Sequence, residues 1–170
     1  MQATPLQMAN MMCIIANKGF YYTPLFVQSI DGQLASDTVL NRYKQKHQVT
    51  NISNETFEVV QLGMQDVVEQ GTGGVARIEG IAVAAKTGTA ENKIRVGGKT
   101  YQLKDHSIFV AFAPRDNPKI AIAVFIENSG YGATWAGPIA TLMIEKYING
   151  KISRTDLEER MLKGSLAPEY

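Results

Sequence analysis

Three apolar runs, set apart by polar and turn-forming stretches, restrict the fold of this chain more than any other feature. They are residues 81–90 (Ile-Ala-Val-Ala-Ala-Lys-Thr-Gly-Thr-Ala), 107–113 (Ser-Ile-Phe-Val-Ala-Phe-Ala) and 119–127 (Lys-Ile-Ala-Ile-Ala-Val-Phe-Ile-Glu). Each reads as a strand. The second and third flank Pro114-Arg115-Asp116-Asn117-Pro118, a short turn-rich loop, and this predicts an antiparallel hairpin. The connection 91–106 is polar, contains Gly97-Gly98 and is expected to be mobile.

Helical signals lie on both sides of this block. Thr4 reads as an N-cap, Pro5 as the first helical residue and Gln7 as the reciprocal partner of a capping box. Leu6, Met8, Met12, Cys13, Ile15 and Ala16 supply a wide apolar face, and Gly19 after Lys18 reads as the C′ stop. A second helix is expected over about 55–70, with Val60, Met64, Val67 and Val68 at helical spacing, ending at Gly71-Thr72-Gly73-Gly74. A third is expected over 135–149, with Ile139, Leu142, Met143 and Ile148 as its stripe and Gly150 closing it. Phe20–Ile30, with Pro24 inside it, reads as an edge strand or extended segment. Residues 31–52 read as a polar surface excursion, and 151–170 as a short helix or frayed tail. The tripeptides Asn51-Ile52-Ser53 and Asn54-Glu55-Thr56 match glycosylation acceptors, a pattern that carries no weight without a secretory eukaryotic context.

The chain has 170 residues, 45% of them hydrophobic and 19% charged, with a net charge of +1, which suits one soluble domain with a real core. Nothing in that balance points to a nucleic-acid partner. No apolar stretch approaches the ~20 residues of a membrane span. The single cysteine, Cys13, lies in an apolar run and reads as a buried, inert thiol.

Lys86-Thr87-Gly88-Thr89, at the end of the first apolar strand, carries the chemistry. Alternation along a strand puts Thr87 and Thr89 on one face and Lys86 on the other, unless the strand twists or bulges. Gly88 lets a ligand approach the backbone, and an exposed strand edge can accept a peptide-like substrate. One of its amides could donate to a developing oxyanion. The plainer reading is a lysine at a strand end before a turn. Rival motifs fail on specific residues. Gly80 to Thr87 would be a phosphate-binding loop but has Ala85 where glycine is required. Gly71-Thr72-Gly73-Gly74 follows a helix and precedes a strand, the reverse of a dinucleotide fingerprint. There is no Gly-x-Ser-x-Gly, and neither His47 nor His106 sits in a metal-ligand pattern, so no metal or cofactor is expected. Asp66 and Glu69 read as the solvated face of the second helix.

Lys-Thr-Gly is a signature of the serine penicillin-recognising enzymes. Ala3-Thr4-Pro5-Leu6-Gln7-Met8-Ala9, Asn17-Lys18-Gly19 with Pro24, Gly71-Thr72-Gly73 before Ala84 to Glu91, and Phe112-Ala113-Pro114 with Asn117-Pro118 occur in the same order as in class B penicillin-binding proteins. The chain therefore resembles the C-terminal part of their transpeptidase domain, most closely in the elongation-type members, over about residues 3–150. The resemblance implies an α+β fold of the β-lactamase-like type, a partial domain with an antiparallel sheet packed with helices. Residues 81–127 would be the last three strands of its five-stranded sheet. Residues 1–150 would be the domain portion and 151–170 a tail. Lys86 would supply positive potential and assist proton transfer, Thr87 and Thr89 would hold the carboxylate of a stem peptide or β-lactam, and the Thr89 amide would complete the oxyanion hole. The implied parent is anchored in the bacterial inner membrane, with this part in the periplasm.

One departure matters. None of the serines at 29, 36, 53, 107, 129, 153 and 165 has Lys three residues later or Asn two residues later. An acyl-enzyme mechanism needs a serine in the first of those settings. The expectation is a chain that is inert alone and part of a D,D-transpeptidase that binds penicillin. The alternative is a non-catalytic module that binds cell-wall peptides or proteins. Apolar surface that the rest of the domain would cover predicts self-association, through the sheet or the first helix.

Overall fold

The computed structural model describes residues 3–26 and 38–166. Part of the segment expected to be extended (27–30), part of the polar excursion (31–37) and the end of the tail (167–170) lie outside them. Helix α1 spans Pro5–Ala16 and opens as its sequence dictates: the Thr4 amide donates to Gln7 Oε1 at 2.8 Å and the Gln7 amide donates to Thr4 Oγ1 at 3.3 Å. Its stop is shifted by one residue. Lys18 takes the first left-handed position (φ 53°), and the Gly19 amide bonds back to Ile14 O at 2.8 Å.

The edge strand shortens to β1, Phe20–Tyr22, which pairs antiparallel with β2, Lys46–Gln48, after the short helix α2, Thr38–Lys44. The polar excursion therefore contains regular structure. Helix α3, Asn54–Glu69, is capped by Ser53, whose Oγ accepts from the Thr56 amide. Its inward residues are Phe57, Gln61, Met64 and Val68, whereas Val60 is 40% exposed. Gln61 is buried because its Nε2 donates to two carbonyls of the last turn of α1, Ile15 O at 2.7 Å, which also accepts from the Lys18 amide, and Ala16 O at 3.2 Å.

A 3₁₀ turn, Gly74–Ala76, leads to the main sheet: β3 (Ala84–Ala90), β6 (His106–Ala113) and β7 (Ile120–Ile126), all antiparallel, in the order β3-β6-β7. The first apolar run is only partly strand, since Ile81 makes an isolated bridge to Ile78. Between β3 and β6 the connection expected to be mobile is a second hairpin, β4 (Lys93–Val96) and β5 (Lys99–Gln102). Gly97 and Gly98, both at positive φ (57° and 81°), form the two-residue turn that such hairpins favour. Its base is pinned, with the Asn92 amide and Gln102 Nε2 donating to Asp105 Oδ1 at 3.2 and 3.0 Å.

Strict alternation along β6 divides the core. Phe109, Ala111 and Ala113 face a cluster with Ala85, Ile122 and the inner residues of helix α4, Ala136–Asn149. Val110 and Phe112 face Met12 and Ala16 of α1. Met64 and Val68 of α3 join one cluster each. Phe109 and Phe112 are fully buried, each contributing about 1.5–3 kcal/mol relative to exposure. Of the expected α4 stripe, Leu142 is buried and Ile148 packs on the core, while Met143 is 53% exposed and Ala136, Ala140 and Ile144 also point inward.

The last helix among the described residues is α5, Thr155–Lys163, tied down just before it begins. Glu145 of α4, fully buried, accepts from Arg154 Nε at 2.8 Å, from the Ser153 amide at 2.9 Å and from Ser153 Oγ. Cys13 is half-buried, and burial raises its thiol pKa.

Candidate active site wall

The strand β3 passes from core to surface along its length: Ala84 and Ala85 are buried, Lys86 is exposed, Thr87 and Gly88 are half-buried and Thr89 is exposed. Register places each residue. Lys86 lies opposite Val110, on the face turned toward α1, and Thr87 and Thr89 lie opposite Phe109 and Ser107, on the face turned toward α4. Among the described residues β3 pairs only with β6, so its outer edge presents backbone amides and carbonyls without strand partners. Lys86 folds back on that strand, its Nζ donating to Thr87 O at 2.7 Å.

Two contacts that sequence reasoning missed hold this segment in place. The hydroxyls of Thr72 and Thr87 lie 2.9 Å apart. Thr72 is presented by a tight turn: a Cβ on Gly71 or on Gly73 would come within 3.0 Å of Val67. The Gly71-Thr72-Gly73 stretch therefore presents Thr72 to Thr87, a contact beyond its sequence reading as the end of α3 and as one of the motifs of the resemblance. The signal was the pair of flanking glycines.

The second contact comes from the loop between β7 and α4. A Cβ on Gly132 would lie 2.7 Å from Gly88 O and 3.1 Å from Gly88 N, and closer still to Ile108 O. Gly132 thus lies flat against the backbone of β3 and β6 at the glycine of the motif. The same loop is anchored by Ser107, which is fully buried. Its Oγ donates to Tyr131 O at 3.0 Å and accepts from the Ala136 amide at 3.2 Å, while its own amide donates to Ser129 Oγ at 3.3 Å. Beyond Thr89, a cavity of about 610 Å³ opens between Glu91, Lys104, Tyr131 and Trp135. Lys93 Nζ, 2.5 Å from Glu91, holds that carboxyl below the usual carboxylate range by hydrogen bonding and charge.

The histidines have structural partners away from the motif. His106 Nδ1 accepts from the Asn128 amide at 3.1 Å, and His47 stacks on Tyr21 with ring centroids 5.0 Å apart. Among the described residues no group of three or more His, Cys, Asp or Glu side chains could hold a metal ion.

The penicillin binding protein transpeptidase domain pattern matches residues 1–145 of this chain. The chain belongs to that family. Within it, the peptidoglycan D,D-transpeptidase MrdA of Haemophilus influenzae is 33% identical over 167 residues, covering 91% of this chain and 25% of that protein. The MrdA of Acinetobacter baumannii is 38% identical over 141 residues, covering 79% of this chain and 21% of its own length. The chain thus spans about a quarter of the length of these curated relatives. Among solved structures, Pseudomonas aeruginosa PBP2 in complex with WCK 5153 superposes with a TM-score of 0.67 at 32% identity, over 91% of this chain and 32% of that one. Penicillin-binding protein A from M. tuberculosis, captured as an imipenem acyl-enzyme, gives 0.63 at 32% identity, over 86% of this chain and 31% of that one. The α+β fold expected from the motifs is the fold of this transpeptidase family.

Proposed function

We propose that Lys86-Thr87-Gly88-Thr89 forms one wall of the substrate cleft of a peptidoglycan D,D-transpeptidase, with residues 1–150 as the C-terminal portion of the catalytic domain and 151–170 as its tail. The observation that carries this reading is the convergence on one open strand edge of an exposed cation, two hydroxyls on one face and a glycine without a side chain. A peptide added along that edge would bond to the strand backbone. Thr87 and Thr89 would hold its terminal carboxylate, or that of a β-lactam, and Lys86 would supply positive potential and assist proton transfer. The Thr89 amide would face the developing oxyanion. The attacking serine, in a Ser-x-x-Lys setting, comes from the rest of the domain, so the chain alone is inert. The parent protein would be held in the inner membrane with this domain in the periplasm; among the described residues no helix is long and apolar enough to cross a membrane.

Thr72 fits this scheme as a positioning residue. Its O–H can donate to Thr87 Oγ1, which leaves the Thr87 proton free to point at the ligand carboxylate. Titration of the ¹⁵N-labelled chain with an acyl-D-alanyl-D-alanine peptide tests both points. Gly88 and Thr89 amides are expected to shift, and Thr72→Val is expected to raise Kd about five-fold, the equivalent of about 1 kcal/mol for one hydrogen bond, with Thr72→Ser restoring it. Shifts confined to residues remote from β3 would sink the substrate-wall reading. Equal binding by Thr72→Val would remove only the role of Thr72.

A further inference from the structure

Trp135 is the only tryptophan of the chain, and it borders two cavities. With Glu91, Lys104 and Tyr131 it lines the cavity of about 610 Å³ beyond Thr89. With Val75, Arg160 and Gly164 it lines another of about 660 Å³. Its backbone is fixed from the motif side. The next amide, that of Ala136, donates to Ser107 Oγ at 3.2 Å, and Ser107 lies opposite Thr89 in the β3–β6 register. Its side chain is set from the tail. A Cβ on Gly164, just past α5, would lie 2.4 Å from Trp135 Cη2 and 2.7 Å from Cζ3. Gly164 has φ −66° and ψ 142°, values open to any residue, so what demands glycine there is the space that the indole fills. Gly164 is held in turn. Its amide donates to Arg160 O at 3.0 Å, and the stretch before α5 is tied to α4 through Arg154 and Glu145. Both α5 and Gly164 lie beyond residues 1–145, the stretch that matches the transpeptidase pattern.

We propose that the C-terminal helix, through Gly164, positions Trp135 as a wall for the residues of the peptide substrate that precede its D-alanyl end. This rests on the reading of β3 as the substrate strand. That strand is buried at its start, at Ala84 and Ala85, and opens only from Lys86 onward. A peptide whose terminal carboxylate sits at Thr87 and Thr89 therefore runs away from the core, antiparallel to β3 like the other pairs of this sheet. Its preceding residues advance about 3.4 Å each, past Ala90 and Glu91, into the cavity that Tyr131 and Trp135 line. An aromatic wall there holds the peptide by burial and by stacking on its flat groups. Gly164 is a positioning residue: it acts on the substrate only through the indole.

Titration of the ¹⁵N-labelled chain with two probes tests this. One is acetyl-D-alanyl-D-alanine, which ends at the motif. The other is a pentapeptide with the same two terminal residues, long enough to reach the cavity. Gly164→Ala drives a methyl group into the indole. The Trp135 emission of the unliganded variant is expected to move to longer wavelength. Its Kd for the pentapeptide is expected to rise about five-fold, the effect of losing one aromatic contact, with the Kd for the short probe unchanged. On a Trp135→Phe background, whose smaller ring leaves room for the methyl group, Gly164→Ala is expected to add no further loss. An unmoved emission, or a moved emission with an unchanged pentapeptide Kd, overturns the proposal. An equal loss for both probes, or a full loss on the Trp135→Phe background, means a general disturbance and overturns it as well. If the wild type binds both probes at Gly88 and Thr89, such results leave the reading of β3 intact. If it binds neither there, that reading fails and the role of Gly164 falls with it.

Discussion

Glu145→Ala is expected to lower the unfolding free energy by about 3–5 kcal/mol, the usual cost of removing one partner from a buried ion pair. The Glu145 side chain is 1% exposed and that of Arg154 is 23% exposed. Without the carboxylate, the guanidinium keeps only long contacts to Val75 O (3.3 Å) and Arg77 O (3.4 Å), and its Nη2 is already buried with no partner among the described residues. The 151–154 stretch, and α5 behind it, would lose its anchor to α4 and keep only those long contacts to the turn at Gly74–Ala76 and to Arg77. Urea unfolding followed by tryptophan fluorescence measures this directly, since Trp135 packs on Gly164 at the end of α5. A midpoint within error of the wild type would show that the pair contributes no net stability.

The same pair predicts the acid limb of stability. Burial by itself raises the pKa of Glu145, but the hydrogen bonds from Ser153 and Arg154 and the Arg154 charge outweigh it and hold the group below the ordinary carboxylate range. A carboxyl with a depressed folded pKa stabilises fully above its unfolded pKa, and this contribution is lost as pH falls through the folded value. The wild type should therefore lose stability on acidification more steeply than Glu145→Gln, and the two curves should converge at low pH.

Gly132→Ala is the second large effect. The added methyl group would meet the backbone of Gly88 and Ile108, which cannot rotate away as a side chain can. The loop must lift from β3 or the strand must bend, at a cost of about 1–3 kcal/mol for overpacking. The diagnostic is local. Gly88 and Thr89 amide shifts should move in the unliganded variant, and the affinity for the peptide should fall with them. Wild-type shifts at Gly88 would mean that the loop is not in contact with the strand.

The elements that the sequence made legible are those whose signals are local. The Thr4–Gln7 capping box, the β6–β7 hairpin around Pro114–Pro118 and the strand ending in Lys86–Thr89 need only neighbouring residues to be recognised. The features that escaped depend on partners far along the chain. Gln61 and Glu145 look like solvated helix positions until the α1 carbonyls and Arg154 arrive. Val60 and Met143 fit an apolar stripe by spacing, yet the packing turns other residues inward. The pairing of Phe20–Tyr22 with Lys46–Gln48 joins two short polar-flanked strands across a long interval, beyond the reach of periodicity. Gly97-Gly98 is a different case, because a two-glycine turn between alternating residues is itself a hairpin signal and was read only as flexibility. In the candidate site the strand that carries Lys86–Thr89 was legible, whereas the contacts that Thr72 and Gly132 make with it, across long sequence intervals, were not.

Intact-protein mass after incubation with a reactive penicillin tests the central claim most directly. It should be measured on this chain alone and on the same chain joined to the preceding part of a transpeptidase domain that carries Ser-x-x-Lys. A covalent adduct on the joined protein only, reduced by Thr87→Val, is the predicted result. A saturable adduct on the chain alone would reveal a nucleophile within these residues and contradict the account. A folded joined protein that gains no adduct would contradict it as well, and would favour a module that binds cell-wall peptides without chemistry.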